Sequence, residues 1–309
     1  MSHPVAPVPI RTEGLTKHYK GVHAIEDLDL EVQRGEVFGF LGPNGAGKTT
    51  TIRALLHFIF PTRGHASILG LDTVGESVEI RRHVGYMPAD YTLYPNLTGA
   101  ETLRYYANLR GGVDERVVAD LAERLEADLA RKNADLSSGN RQKVALIAAF
   151  MNEPELLILD EPSSGLDPLM QQELQAIIRE VRAAGRTVFL SSHSLSEVER
   201  VADRVGILRE GRLIVVERVD VLKAKAIRRL DLGFEAPVSA DDFRSVPGVR
   251  SVEVHGHGLS VSYEGPVNAL LRAALEHQVV NLNSREADLE EIFLAYYRGA
   301  ANGSAPDAG

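Results

Sequence analysis

The sequence predicts an α/β fold with a phosphate-binding loop at its centre, and three observations predict it. Apolar strand-like runs alternate with helical stretches across residues 10–217, the mark of a largely parallel sheet covered by helices. One such run, Val37–Leu41, feeds Gly42-Pro43-Asn44-Gly45-Ala46-Gly47-Lys48-Thr49, a complete G-x-x-x-x-G-K-[ST] loop that opens a helical run. Beyond residue 228 the order becomes β-α-β-β-α-β, which predicts a second, small ferredoxin-like α+β module.

Taken in order, residues 1–9 are Pro-rich, lack the charged and apolar regions of a signal peptide, and read as a flexible arm. Val37–Leu41, 156–159 and 187–191 are near-continuous apolar runs, as strands buried on both faces require, and 205–208 is a fourth strand. Residues 50–59 read as the helix after the glycine loop. Residues 98–151 read as almost wholly helical, starting with a capping box of Thr98 and Glu101, so a helical subdomain of about 90–152 is inserted in the 10–217 domain. A helical connector spans 218–228. In the module at 229–298, Leu230, Leu232 and Phe234 alternate, and a short helix follows at Asp241–Arg244. Strands at Val249–His255 and 259–264 join at Gly256-His257; a helix at 267–276 and a strand at 279–282 complete the order. A last helix over 289–297 carries Leu289, Ile292, Phe293 and Tyr296 on one stripe, and the small, polar residues 299–309 read as disordered.

Bulk composition narrows the classes. With 309 residues, 44% hydrophobic and 25% charged, the chain has enough apolar material for one large domain and a smaller one. Its net charge of −9 and lack of any Lys/Arg run argue against a nucleic-acid partner. With no cysteine there is no disulfide framework and no thiolate chemistry. No apolar stretch approaches the ~20 residues that span a bilayer. The chain is therefore expected in the cytoplasm, with any membrane role borrowed from a partner.

The glycine loop implies binding of a nucleoside triphosphate. A strand that turns through glycines into a helix aims backbone N–H groups at one point, where the helix dipole also favours an anion. Lys48 adds a cation for the outer phosphates, and the Thr49 hydroxyl is suited to the accompanying Mg²⁺. Residues 156–159 end in Asp160 and Glu161, which delivers both carboxylates to the same sheet edge. Asp160 suits the metal and its water shell; Glu161 suits a general base for water attacking the γ-phosphate. The run 187–191 likewise ends at Ser192-His193. Alone, this histidine reads as structural; beside Glu161 it becomes a candidate γ-phosphate contact. Leu136-Ser137-Ser138-Gly139-Asn140 precedes an apolar helix, and alone it reads as a plain serine N-cap.

As a set, these segments resemble the nucleotide-binding subunit of an ATP-binding-cassette (ABC) transporter. Residues 42–49 correspond to the Walker A loop, 156–160 to the Walker B strand with Glu161 as its catalytic glutamate, and 136–140 to the signature motif. Residues 164–167 correspond to the D-loop and His193 to the switch histidine. The resemblance implies that Tyr19 stacks on adenine, that residues 42–50, Thr50 included, cradle the phosphates, and that Ser137 and Gly139 act across a head-to-tail dimer holding two ATP molecules. It implies an integral membrane permease as partner, either homo- or heterodimeric ATPase subunits, and attachment to the inner face of the plasma membrane through that permease. Two rival readings stand beside it: a soluble ABC ATPase acting on a non-membrane partner, and an ATP-binding regulatory module with little turnover.

Two departures matter. The signature reads LSSGN rather than LSGGQ, and Ala89 stands where the family's Q-loop glutamine is usual. Asp90, one position on, is offered as the replacement metal-linked group. These departures and the Leu-Glu-Glu-Ile-Phe pattern at 289–293 resemble the bacterial drug- and antibiotic-export branch. His255 and His257 read as a surface turn rather than a metal site, and Tyr105 and Tyr106 as packing. The loop 91–96 suits either packing or a permease interface.

Overall fold

The computed structural model describes residues 7–225 and 228–285; the final helix over 289–297, the tail at 299–309 and most of the N-terminal arm lie outside the described residues. The chain divides into two compact units, Met1–Glu217 and Arg218–Gly309.

In the first unit, β1 (Ile10–Tyr19) and β2 (Val22–Val32) pair as an antiparallel hairpin. β3 (Val37–Leu41) is buried at every residue and leads through the glycine loop into α1 (Lys48–Leu55). β4 (Arg63–Ile68) and β5 (Leu71–Asp72) extend the hairpin into an antiparallel sheet of order β2-β1-β4-β5. There follow α2 (Ser77–His83), β6 (Val84–Met87), α3 (Gly99–Leu109), α4 (Glu115–Arg124), α5 (Ser138–Phe150), β7 (Leu156–Asp160) and α6 (Pro168–Ala183). Then come β8 (Thr187–Ser192), α7 (Leu195–Glu199), β9 (Arg204–Arg209) and β10 (Arg212–Arg218). The main sheet has the order β10-β9-β3-β8-β7-β6, and β9, β3, β8, β7 and β6 run parallel. In the core beneath it Phe38 stacks on Phe189, and Phe40 packs tilted against Phe189.

The helical stretch at 98–151 is corrected. Thr98 and Glu101 do form the capping box at the start of α3, but residues 125–137 are irregular apart from a 3-10 turn at Asn133–Asp135. Gly111 and Gly112, with φ of 87° and 109°, break the chain after α3. The Asp128 side chain then accepts from Ala130 N and Arg131 N, a local bond that competes with helix. The helix of 50–59 is likewise shorter: α1 ends at Leu55, His57 adopts φ 54°, and Phe58 N folds back onto Arg53 O. α5 starts earlier than expected, at Ser138, because Ser137 caps it.

The second unit holds α8 (Val219–Lys225), β11 (Arg228–Phe234), α9 (Asp241–Arg244), β12 (Val249–His255), β13 (Gly258–Tyr263), α10 (Asn268–Leu275) and β14 (Val279–Arg285). Its antiparallel order, β12-β13-β11-β14, puts the first and third strands of the module in the middle, as the ferredoxin-like arrangement requires. Leu230, Leu232 and Phe234 alternate inward and pack with Phe243, Val261 and Leu270. No helix among the described residues is long and apolar enough to cross a membrane.

Candidate active site

Three parallel strands deliver the chemistry. β3, β8 and β7 lie side by side, so the glycine loop, Ser192-His193 and Asp160-Glu161 all leave the same sheet edge, where open α/β sheets bind ligands. The loop needs its glycines. A Cβ on Gly42 would lie 2.6 Å from Leu208 O, and one on Gly47, at φ 111°, would lie 2.4 Å from Ala24 O. Pro43, Asn44 and Gly45 form the exposed tip, Ala46 is buried beneath it, and Thr49 and Thr50 are half-buried in the first turn of α1. The first-turn amides of a helix lack intrahelical partners and so face an anion well.

Lys48 is only 5% exposed, and a buried cation requires partners. Its Nζ donates to Gly42 O at 2.6 Å and Pro43 O at 3.3 Å, and lies 3.2 Å from Glu161 Oε1. That last contact is an ion pair without hydrogen-bond geometry, so Oε1 is buried with no hydrogen-bond donor. The other Glu161 oxygen lies 2.7 Å from His193 Nδ1 and 3.4 Å from His193 N. Glu161 thus bridges the loop lysine and the histidine, from a backbone held at φ 52°. That left-handed conformation is uncommon outside glycine, and here Ser191 holds it, its O and Oγ each accepting from Glu161 N at 3.2 Å.

Asp160 is wholly buried. Its Oδ1 accepts from Ser191 Oγ at 2.5 Å, while Oδ2 is buried without a hydrogen-bond partner. Leaving such an oxygen unpaired costs about 1–3 kcal/mol, so it marks a place for a ligand. A carboxylate oxygen at the end of β7 and the Thr49 hydroxyl in the first turn of α1 are hard donors of the kind Mg²⁺ takes, so these residues fit that ion. Burial, followed by the charge of Asp160, pushes the Tyr86 hydroxyl up to about 12.

The other expected residues lie further out. Asp90 is exposed beyond β6, within electrostatic reach of Tyr86. Tyr19, at the end of β1, is half exposed with Lys17 Nζ 5.0 Å from its ring centre. Ser137 Oγ accepts from Asn140 N, and a Cβ on Gly139 would lie 3.0 Å from Gly165 O, so the signature segment contacts its own helix and the D-loop rather than the phosphate loop. Sequence reasoning missed Ser191 and Gln142, whose amide donates to Pro162 O beside Glu161. For Ser191 the available signal was a hydroxyl pair closing an otherwise apolar strand; for Gln142 there was none.

Comparison with known proteins agrees with this geometry. The family model described as "ABC transporter" matches residues 25–164. The chain is 33% identical over 307 residues to the bacitracin transport ATP-binding protein BcrA of Bacillus licheniformis, covering 95% of this chain and 99% of that one. It is 37% identical over 222 residues to the probable multidrug ABC transporter ATP-binding protein YbhF of Escherichia coli strain K12, covering 70% of this chain but spanning only 38% of that relative's length. A solved structure titled "Structure of ATP binding subunit of ABC transporter" superposes with a TM-score of 0.65 at 36% identity, over 69% of this chain and 91% of that one. With a near full-length relative, a shared fold and the phosphate site assembled at one sheet edge, the chain belongs to the ATP-binding subunits of the ABC transporter family.

Proposed function

We propose that this subunit hydrolyses ATP with Mg²⁺ and, by closing as a dimer around two ATP molecules, drives export of a drug- or antibiotic-like small molecule through a separate membrane permease. The observation that carries this reading is Glu161, whose carboxylate is held between Lys48 and His193 at the phosphate loop, beside the unpaired Asp160 oxygen.

In this reading Gly42 to Thr50 cradle the phosphates, and Tyr19 stacks on adenine. Lys48 leaves Glu161 for the outer phosphates, which frees the carboxylate. Glu161 takes a proton from water as the water oxygen bonds to the γ-phosphorus and the bridge to the β-phosphate breaks. His193, released from Glu161, donates to a γ-phosphate oxygen. Thr49 and Asp160 would hold magnesium, which when bound spreads the charge of the outer phosphates. Asp90 stands in for the missing glutamine, and Ser137 and Gly139 meet the nucleotide of the opposite subunit. The export branch is supported by the near full-length match to a bacitracin transport protein. The intact Glu161 and His193 favour turnover over a purely regulatory module.

Glu161→Gln tests the chemistry, because it keeps the side chain's size and removes its basicity. Steady-state ATP hydrolysis should fall by about 10²–10⁴-fold while ATP binding persists and a closed dimer accumulates on gel filtration. Unchanged turnover would overturn the assignment. Affinity capture of the tagged chain from solubilised membranes, with ATP and Mg²⁺, tests the partner. A polytopic membrane protein is expected; ribosomal or DNA-repair components without one would point instead to a soluble ABC ATPase.

A further inference from the structure

A second cluster of ligand-type side chains lies on the β1–β2 hairpin, outside the set around Lys48. Strand pairing builds it. His18 and His23 face each other directly across the hairpin, and their rings stack with centres 4.1 Å apart. The next pair is Lys17 with Ile25, so Ala24 is an extra residue, a β-bulge. The bulge shifts the strand's phase by one, which turns Glu26, three residues from His23, onto the face His23 occupies. Both rings then aim a nitrogen at one oxygen: His18 Nε2 lies 2.7 Å and His23 Nδ1 3.1 Å from Glu26 Oε2. Among the described residues this is the one group of three such side chains whose ligand atoms all lie within 4.8 Å of one another.

We propose that His18, His23 and Glu26 form a binding site for a late first-row divalent cation of the zinc class. Two imidazole nitrogens and a carboxylate oxygen are the donors of three-ligand zinc sites that leave the fourth position to water. Bonds of about 2.0–2.1 Å in a tetrahedron hold ligands roughly 3.3 Å apart, so the two nitrogens, which lie 2.7 and 3.1 Å from Oε2, need to draw back only slightly to admit the ion. The site is anchored on one side and open on the other, with the Glu26 side chain 11% exposed and that of His23 69% exposed. Arg63 fixes the carboxylate by its far oxygen, lying 2.9 Å from Glu26 Oε1 and 2.8 Å from Asp27 Oδ1. Glu26 and Asp27 carry two negative charges against the single positive charge of Arg63, so the local balance favours a cation at Oε2. Magnesium, which prefers oxygen ligands in an octahedron, does not suit these donors. The Ala24 carbonyl of the same bulge is the atom that forbids a side chain at Gly47, so the site is built into the wall of the phosphate loop.

Cobalt titration of the metal-stripped, nucleotide-free full chain, with Mg²⁺ in excess, tests the site through visible d–d absorption. One equivalent should give the intense bands of a tetrahedral ion, and Zn²⁺ should abolish them by displacement. His23→Ala removes an exposed side chain, and Glu26→Gln keeps its shape. Each should weaken cobalt binding by about tenfold or more while far-UV circular dichroism is unchanged, since even second-shell changes have effects of that size. Absence of tetrahedral bands, or a titration undiminished in the folded His23→Ala protein, would overturn the proposal.

Discussion

Asn140 stands where the family resemblance leads one to expect glutamine, and its amide is fully engaged. Its Oδ1 accepts from Asp128 N at 2.8 Å and its Nδ2 donates to Asp128 O at 2.9 Å, which ties the first turn of α5 to the irregular segment before it. Asn140→Ala leaves a partly buried amide and carbonyl without those partners, so it should lower stability by about 1–3 kcal/mol in urea titration, with ATP affinity of the isolated subunit unchanged. A glutamine, one methylene longer, would overshoot the same pair. At this scale the residues legible in the sequence were those that a motif fixes in order along the chain: Lys48, Asp160, Glu161 and His193 follow strands whose ends must meet. Ser191 and the His18–His23–Glu26 group were not legible. Ser191 acts through the strand beside it, and the hairpin group exists only because a bulge at Ala24 rephases one strand. No linear pattern records either.

Between elements, Arg124 is the clearest tie. It sits in the last turn of α4 and holds two carboxylates of α6, its Nε 2.6 Å from Glu173 Oε1 and its terminal nitrogens 2.6 and 2.8 Å from the two oxygens of Glu180. The fork geometry makes this stronger than an ordinary surface pair, though solvent around Glu180 limits it to about 1 kcal/mol. The hydrogen bond from Arg124 holds the Glu180 carboxyl below its usual value of 4.5. A carboxylate whose folded pKa is depressed stabilises the fold fully above its unfolded pKa and loses that contribution as pH falls through the folded one. Arg124→Ala should therefore be less stable than the parent at pH 7, and the gap should close as pH falls below about 4.5, as it should in high salt. Chemical denaturation at several pH values measures this directly; a gap independent of pH would assign the effect to lost packing. The sequence had presented α4 as part of one long helical stretch. Helical periodicity survives a break, and what breaks this stretch, the paired glycines at 111 and 112 and the side-chain bonds of Asp128, outweighs it locally. The antiparallel sheet of β1, β2, β4 and β5 was missed for a related reason: bulges within residues 12–18 and 23–28 confine the alternation that identifies a half-buried strand to short stretches such as Leu28, Leu30 and Val32.

Over the whole chain, each unit closes a core of its own. The first buries Phe38, Phe40 and Phe189 under the main sheet, and the second buries Leu230, Phe243 and Val261 against two short helices. Every residue assigned here to nucleotide, from Tyr19 to His193, falls within Met1–Glu217. Two cores, with the nucleotide residues in only one of them, predict an asymmetric response to ATP. A ligand that binds only the folded form stabilises it by an amount set by its concentration over Kd, about 2.7 kcal/mol at a hundredfold excess. Scanning calorimetry should therefore resolve two transitions, of which ATP with Mg²⁺, added to Glu161→Gln to prevent turnover, raises one by several degrees and leaves the other in place. Phe243→Ala, which empties a fully buried position in the second unit, should do the converse: the ATP-insensitive transition falls, by the equivalent of about 3–5 kcal/mol, and the ATP-sensitive one stays. If ATP instead moved both transitions together, or Phe243→Ala lowered both, the two units would unfold as one cooperative body. Nucleotide binding at the phosphate loop would then be energetically linked to the C-terminal module, and the module would belong to the ATP-driven cycle rather than stand beside it.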